Sequence, residues 1–239
     1  MSRQVVVLAG GLGTRMRPHT ERVPKVLLDV AGRPFVAWLL ERLARCGYQD
    51  VVLSIAHLGE QVRDLVGNGQ KYGVSVRYVD EGGTLLGTGG ALKLALDRDV
   101  LDDVFLVTYG DSYLPFDYGE PLAKLRARDE LDGVVAVFPN QSQWDASNTS
   151  LTADGDRVAR YEKGNADPAL RYIDYGATAL RRSVIEQWPD APPFGFDRIQ
   201  HTLAKEGRLG AVVARERFFE IGSPQGLKDL EARLAAGEK

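Results

Sequence analysis

Short apolar runs rich in β-branched residues alternate, through the first half of this chain, with stretches whose apolar residues recur every three or four positions. That rhythm predicts strands separated by helices. Val5 to Leu8 reads as a strand, and Pro34 to Cys46 as a helix with Phe35, Trp38, Leu39, Leu43 and Cys46 on its apolar face and Gly47 placed to cap it. Asp50 to Ile55 is a strand, Gly59 to Val66 a helix, Val74 to Val79 a strand, Gly89 to Asp97 a helix, and Val104 to Thr108 a strand that runs into Gly110-Asp111. This βαβα order implies an α/β fold: a doubly wound, mainly parallel, Rossmann-like mixed sheet flanked by helices, with ligands at the carboxyl ends of its strands.

From about Asp117 the rhythm changes. Pro121 to Asp129 predicts a helix, Gly133 to Phe138 a strand, Thr149 to Glu162 paired strands turning at Asp154-Gly155, and Tyr172 to Leu180 another strand. Helices follow near Ser183 to Gln187 and Asp197 to Glu206. Val212 and Val213 begin the approach to Phe218-Phe219-Glu220, and Pro224 to Ala235 is a terminal helix. The expectation is one domain over residues 1–239, with a first half to about 116 and a second half from about 117 that includes the terminal helix and has no hinged linker. No hexapeptide β-helix repeat is present.

Composition changes this picture only by exclusion. The 239 residues carry 30 basic and 33 acidic side chains, a net charge of −3, so no basic face advertises nucleic acid. Any anionic substrate must be met by a few local cations. A single cysteine, Cys46, excludes an intramolecular disulfide and a thiolate metal cluster, and packing is its expected role. His19, His57 and His201 are too scattered for a metal spacing and are read as structural or surface residues, with His19 a weak exception because it lies beside a glycine loop. The apolar run before that loop is too short for a signal-peptide core, and no stretch reaches transmembrane length, so the expected location is the cytoplasm, away from membranes.

That loop carries the chemistry. Leu8-Ala9-Gly10-Gly11-Leu12-Gly13-Thr14-Arg15-Met16-Arg17-Pro18 leaves the first strand, and Val23-Pro24-Lys25 follows. Glycines expose backbone N–H groups to an anion at close range, and Arg15 and Lys25 supply the charge that glycine lacks. The dinucleotide fingerprint fails because Met16 stands at its third glycine, and no P-loop string occurs. The loop reads as a nucleoside triphosphate cradle, built from Leu8, Ala9, Gly10, Gly11, Gly13, Thr14, Arg15 and Lys25, with a tight strand exit that holds no ligand as the alternative.

The string from Gly10 to Pro34 resembles, almost position for position, the signature of the sugar-1-phosphate nucleotidyltransferases, also called nucleoside-diphosphate-sugar pyrophosphorylases. Within that family it looks most like the bacterial heptose and mannose 1-phosphate guanylyltransferases, with the N-acetylmuramate 1-phosphate uridylyltransferases close behind. The resemblance implies a nucleotide-binding first half and a sugar-binding second half. In relatives a string like Glu81-Gly82-Gly83-Thr84-Leu85-Leu86-Gly87-Thr88-Gly89-Gly90 lines the base pocket, which assigns Glu81, Gly87 and Thr88 to the nucleotide. Gly110-Asp111 matches the Gly-Asp that holds Mg²⁺, and Phe218-Phe219-Glu220-Ile221-Gly222-Ser223-Pro224 matches the string carrying the second metal ligand, with Glu220 for the family's Asp. Tyr161-Glu162-Lys163 resembles the pair that meets the sugar phosphate and a sugar hydroxyl. Asp111, Asn148, Asp174 and Gly176 complete the expected sugar-phosphate side.

These pieces imply attack of a sugar 1-phosphate oxygen on the α-phosphorus of the triphosphate, with pyrophosphate leaving and Arg15, Lys25 and Asp111 as the catalytic set. Such a displacement asks mainly for in-line positioning and charge neutralisation, which fits the absence of a Ser/His or Cys/His nucleophile pattern. Glu81 offers two acceptors to the adjacent N1–H and N2–H₂ donors of guanine, so GTP is favoured over UTP or dTTP. The alternatives are uridylyl or thymidylyl transfer to another sugar 1-phosphate, such as that of N-acetylmuramate or glucose, and a nucleotide-sugar sensing subunit without turnover. The sequence leaves a homo-oligomer open.

Overall fold

The computed structural model describes residues 3–165 and 167–237. The chain forms two compact units, one comprising Met1–Leu85, Thr108–Leu114 and Phe218–Lys239, the other Leu86–Val107 and Pro115–Arg217. The sequence reading divides the chain once, near residue 116. In space the terminal helix returns to the first unit, and Leu86–Val107 joins the second.

In the first unit three strands, Gln4–Leu8, Asp50–Ile55 and Ser75–Asp80, pair in parallel with Asp50–Ile55 in the middle. Val5, Val6, Val7, Val51, Val52 and Leu53 are fully buried, which is why these strands read as unbroken apolar runs and do not alternate. The helix Phe35–Arg45 turns Phe35, Val36, Leu39, Leu40 and Leu43 inward. It ends as expected: Gly47, at φ +80°, donates its N–H to the Ala44 carbonyl at 2.9 Å. Pro34 is not its first residue, because Arg33–Pro34 pairs with Asp29–Val30 as a small ribbon. The helix Gly59–Val66 has its expected bounds. So has the terminal helix Pro224–Ala235, where the Ser223 hydroxyl accepts the Gly226 N–H and proline occupies the first turn.

The second unit is mixed. Gly133–Pro139 pairs antiparallel with Tyr172–Arg181 and parallel with Leu209–Val213. The hairpin of Thr149–Leu151 and Val158–Tyr161 joins through the pair Thr149 and Tyr172. Register along Tyr172–Arg181 shifts between Asp174 and Thr178, so this strand bends where Gly176 sits at φ +96°. The helices are Gly87–Asp97, Gly119–Arg126, Arg182–Glu186 and Phe196–Lys205. The strand Val104–Tyr109 is shared by the two units along the chain. Among the described residues no helix is long and apolar enough to cross a membrane.

Candidate functional site

The glycine loop of the first unit folds into short turns that periodicity does not reveal: Thr14–Met16, His19–Glu21 and Lys25–Leu27 are each single 3₁₀ turns. Gly13 is left-handed at φ +60°, and its carbonyl accepts both the Met16 N–H at 2.8 Å and the Thr20 hydroxyl at 2.7 Å. A Cβ there would also press on the Thr20 methyl at 2.9 Å. Only glycine fits. Gly11 has open space around it, and Gly11, Thr14 and Arg15 are exposed, as a loop offered to a ligand requires.

Asp111 and Glu220 come together through two very short strands. Ser112–Tyr113 pairs antiparallel with Phe219–Glu220, matching Glu220 with Ser112, and the Ile221 N–H reaches the Asp111 carbonyl at 3.0 Å. Gly110 lets this turn lie against the glycine loop, since its N–H meets the Leu8 carbonyl at 2.9 Å and a Cβ would strike Ala9 at 2.8 Å. Lys25 Nζ is 2.5 Å from Asp111 Oδ2, with the two side chains 12% and 31% exposed. Gly222 lets charged ends come close to the backbone: Arg15 Nη2 and Lys25 Nζ each lie 3.1 Å, and Glu220 Oε2 3.3 Å, from the point a Cβ on Gly222 would occupy. Two cations and a carboxylate thus meet beside this glycine, with Asp111 bonded to one of the cations.

This donor set fits Mg²⁺, which takes one or two carboxylates and fills its octahedron with phosphate oxygens and water. No group of three or more His, Cys, Asp or Glu side chains able to hold a metal exists among the described residues. A self-sufficient protein metal cage is therefore not built here, and a phosphate-assisted site is the arrangement these residues allow.

Glu81 follows the strand Ser75–Asp80 in the first unit. Its N–H bonds the Ile55 carbonyl at 2.9 Å, its Oε1 accepts the Ser54 hydroxyl at 3.2 Å, and the same oxygen lies 2.5 Å from where a Cβ on Gly10 would stand. Gly10 is glycine to make room for this carboxylate. Gly87 and Thr88 belong to the second unit, where they open the helix Gly87–Asp97 two residues earlier than the apolar periodicity suggests.

On the sugar side of the reading, the second unit assembles a bonded network. Asp174 Oδ2 accepts both the Tyr161 hydroxyl and the Gln200 amide at 2.8 Å, and Oδ1 accepts the Gly176 N–H at 2.9 Å. Asn148 Oδ1 accepts the Asp174 N–H at 2.9 Å and the Thr149 hydroxyl at 2.8 Å. Burial pushes the Asp174 carboxyl above the usual carboxylate range, opposed by hydrogen bonds from Gly176, Tyr161 and Gln200 and by the charge of Lys163. Glu162 is engaged by its own neighbours, Arg160 Nε at 2.9 Å and the Asn165 amide, which hold it below the usual range. Lys163 is exposed. Glu162 and Lys163 border a cavity of about 890 Å³ that Trp188, Asp197 and His201 also line. His201 Nδ1 lies 2.7 Å from the Tyr161 carbonyl.

Sequence reasoning missed Gln200, Ser54 and Gly222. Gln200 and Ser54 carry no motif and reach their partners from other elements. Gly222 sits within a quoted string whose carboxylate drew the attention. Arg160 was missed as well, although its place two residues before Glu162, at the end of the strand Val158–Tyr161, was a signal that could have found it.

A family model described as nucleotidyl transferase matches residues 4–236. An N-acetylmuramate α-1-phosphate uridylyltransferase of Neisseria meningitidis is 41% identical over 115 residues, 48% of this chain and 49% of that protein. A D-glycero-α-D-manno-heptose 1-phosphate guanylyltransferase of Aneurinibacillus thermoaerophilus is 26% identical over 97% of this chain and 98% of its own length. The chain spans about half to under two thirds of the length of the first curated relatives it matches, and nearly all of others. Among solved structures, HddC from Yersinia pseudotuberculosis complexed with GMP-PN superposes with a TM-score of 0.78 at 27% identity, covering 97% of this chain and 99% of that one.

Proposed function

Because the chain belongs to the nucleotidyl transferase family, we propose that it transfers a nucleotidyl group, from GTP in the favoured reading, to a heptose- or mannose-type sugar 1-phosphate, releasing pyrophosphate. The observation that carries this is the meeting of Arg15, Lys25 and Glu220 beside Gly222, with Asp111 held by Lys25. Such a cluster suits a triphosphate better than a neutral ligand. Arg15 and Lys25, with the N–H groups from Gly10 to Thr14, hold the phosphates, Leu8 and Ala9 wall the cradle because the Ala9 N–H is spent on the Ser54 carbonyl, and Glu81, Gly87 and Thr88 take the base. Lys163 takes the acceptor phosphate, and Asn148, Glu162, Asp174 and Gly176 shape the sugar side.

Catalysis is then a matter of placing two anions in line. Arg15 and Lys25 neutralise the repulsion that keeps a sugar phosphate from the α-phosphorus, and charges already in position cost little reorganisation as the transition state forms. Mg²⁺, held by Asp111 and Glu220, would add charge at the phosphate oxygens. A sensing subunit needs no group that acts only in the transition state, and the joint presence of Arg15, Lys25, Asp111 and Lys163 argues for turnover.

A second reading, uridylyl transfer to N-acetylmuramate 1-phosphate, is supported by the 41% identity to the Neisseria protein. One experiment tests both. Pyrophosphate is measured for GTP, UTP, dTTP, ATP and CTP against heptose, mannose, glucose and N-acetylmuramate 1-phosphates. Release that needs both substrates, and is fastest with GTP and a heptose or mannose phosphate, supports the favoured reading. Release fastest with UTP replaces it with the second, and no release with any pair removes the transferase reading.

A further inference from the structure

The glycines Gly87, Gly89 and Gly90 are spent on the protein itself. A Cβ on Gly87 would run into the Phe194 carbonyl, and one on Gly89 would run into the Phe194 ring. At Gly90 it would press on Pro192 at 3.0 Å. Hydrogen bonds make the same join from both sides: the Phe194 carbonyl accepts the N–H groups of Gly89 at 2.9 Å and Gly90 at 3.2 Å, while the Phe194 N–H donates to Leu86 at 3.0 Å. Two residues on, the Phe196 N–H donates to the Thr88 hydroxyl at 2.8 Å. The Phe194 ring is 4% exposed and stacks on Trp188, with centroids 6.0 Å apart and planes 25° from parallel.

The geometry points to Phe194 as the positioning residue of the base loop, a strap that fixes Gly87 and Thr88 so that the nucleotide meets a preformed turn. The inference rests on the reading of those two residues as base contacts. The first helical N–H groups of Gly87–Asp97 need acceptors from outside the helix. Phe194 supplies its carbonyl to two of them, so the loop's shape is set before any ligand arrives. Trp188 acts one layer further out, by holding the Phe194 ring. Preorganisation of this kind is felt in the affinity for one substrate, and a displacement of about 1 Å in a positioned group can cost about a hundredfold.

The test uses the full chain and three variants: Phe194→Leu, which keeps the backbone and loses the stack; Trp188→Ala, which loosens the ring from outside; and Trp188→Phe, which keeps an aromatic partner. Two readouts are taken, amide hydrogen exchange over Leu86–Leu92 and the KM values of the two substrates. Phe194→Leu should speed exchange there and raise the triphosphate KM about tenfold, with the sugar-phosphate KM unchanged, and Trp188→Ala, which also alters the cavity wall beside Glu162 and Lys163, should speed exchange and raise the triphosphate KM likewise. Trp188→Phe should restore both. Unchanged exchange in a folded Phe194→Leu protein, or equal rises in both KM values, overturns the proposal. Faster exchange with neither KM altered removes the base assignment of the loop and the positioning role with it. The wild-type pyrophosphate assay judges the reaction separately, and triphosphate binding by calorimetry stands in for KM if that assay is silent.

Discussion

The two units handle polar groups in opposite ways. In the first, Arg15, Lys25 and Glu220 bring charged ends to 3.1–3.3 Å from the point a Cβ on Gly222 would occupy, and Lys25 is bonded to Asp111. In the second, Asp174, Asn148 and Glu162 are answered at 2.8–2.9 Å by Tyr161, Gln200, Thr149 and Arg160. Polar groups taken out of water are held by hydrogen-bond partners. The second cluster is knit largely by neutral donors, while the first sets charged ends side by side, where the proposed function places the phosphates. Substitutions in the first should therefore strike the chemistry, and substitutions in the second should strike affinity and shape.

The largest effect is expected at Asp111. Asp111→Asn should lower kcat by about a hundredfold or more, because a charge acting on the migrating phosphoryl centre is lost, while triphosphate affinity changes less. Near-normal turnover at saturating Mg²⁺ would remove Asp111 from the metal and from the reaction. Arg15→Ala comes next. A charge-assisted hydrogen bond is worth about 1.5–3 kcal/mol, so a loss of about 10- to 150-fold in kcat/KM is expected, with Lys25→Ala shifting triphosphate KM as well. Gly222→Ala should mimic the Arg15 loss with a melting temperature near wild type, since the atoms nearest its methyl group are the movable ends of Arg15, Lys25 and Glu220. Full activity in that variant would mean that displacing these ends does not matter to the reaction.

Lys163→Ala sharpens the comparison from the other side. Its exposed ammonium has the acceptor phosphate as its proposed partner, so the sugar-phosphate KM should rise far more than the triphosphate KM. Equal rises would make Lys163 a prop of its own unit. Glu81→Gln should narrow the lead of GTP over UTP by replacing one of two acceptors with a donor. A wild-type enzyme that prefers UTP with every sugar makes that variant irrelevant and the guanine reading wrong.

The parallel strands were legible in the sequence because burial on both faces leaves an unbroken apolar signature, as in Val5-Val6-Val7. The ribbon that brings Asp111 to Glu220 was not. Its strands are two residues long and come from distant parts of the chain, so only the resemblance of Gly110-Asp111 and Phe219-Glu220 to known strings hinted at their meeting. The glycines of the two loops, residues 10–13 and 82–90, were read as room for a ligand. That suits Gly11, whose surroundings are open, but Gly89 and Gly90 face Phe194 and Pro192 in a segment the periodicity did not single out. A glycine reports that something comes close, and the sequence does not say what.

The smallest effect, and the one most particular to the second unit, concerns pH. Burial raises the Asp174 carboxyl in the folded protein, so the unfolded chain gives up that proton first as pH rises. Folding then binds a proton. The stability tied to this group is fully present below its unfolded value of about 3.9 and is lost as pH rises through the folded value. The surface carboxylates Glu162 and Asp167, lowered by Arg160 and by the Ala169 N–H, act in the reverse direction and lose their contribution on acidification. The wild-type curve therefore mixes the two signs, and Asp174→Asn separates them. Subtracting its stability profile from the wild-type profile, by urea unfolding at each pH, should leave a difference that falls with rising pH and then levels. A flat difference would show Asp174 equally at ease charged in both states. A difference rising with pH would mean that the bonds from Tyr161, Gln200 and Gly176 outweigh burial, making Asp174 a charged partner for the sugar side like those of the first unit.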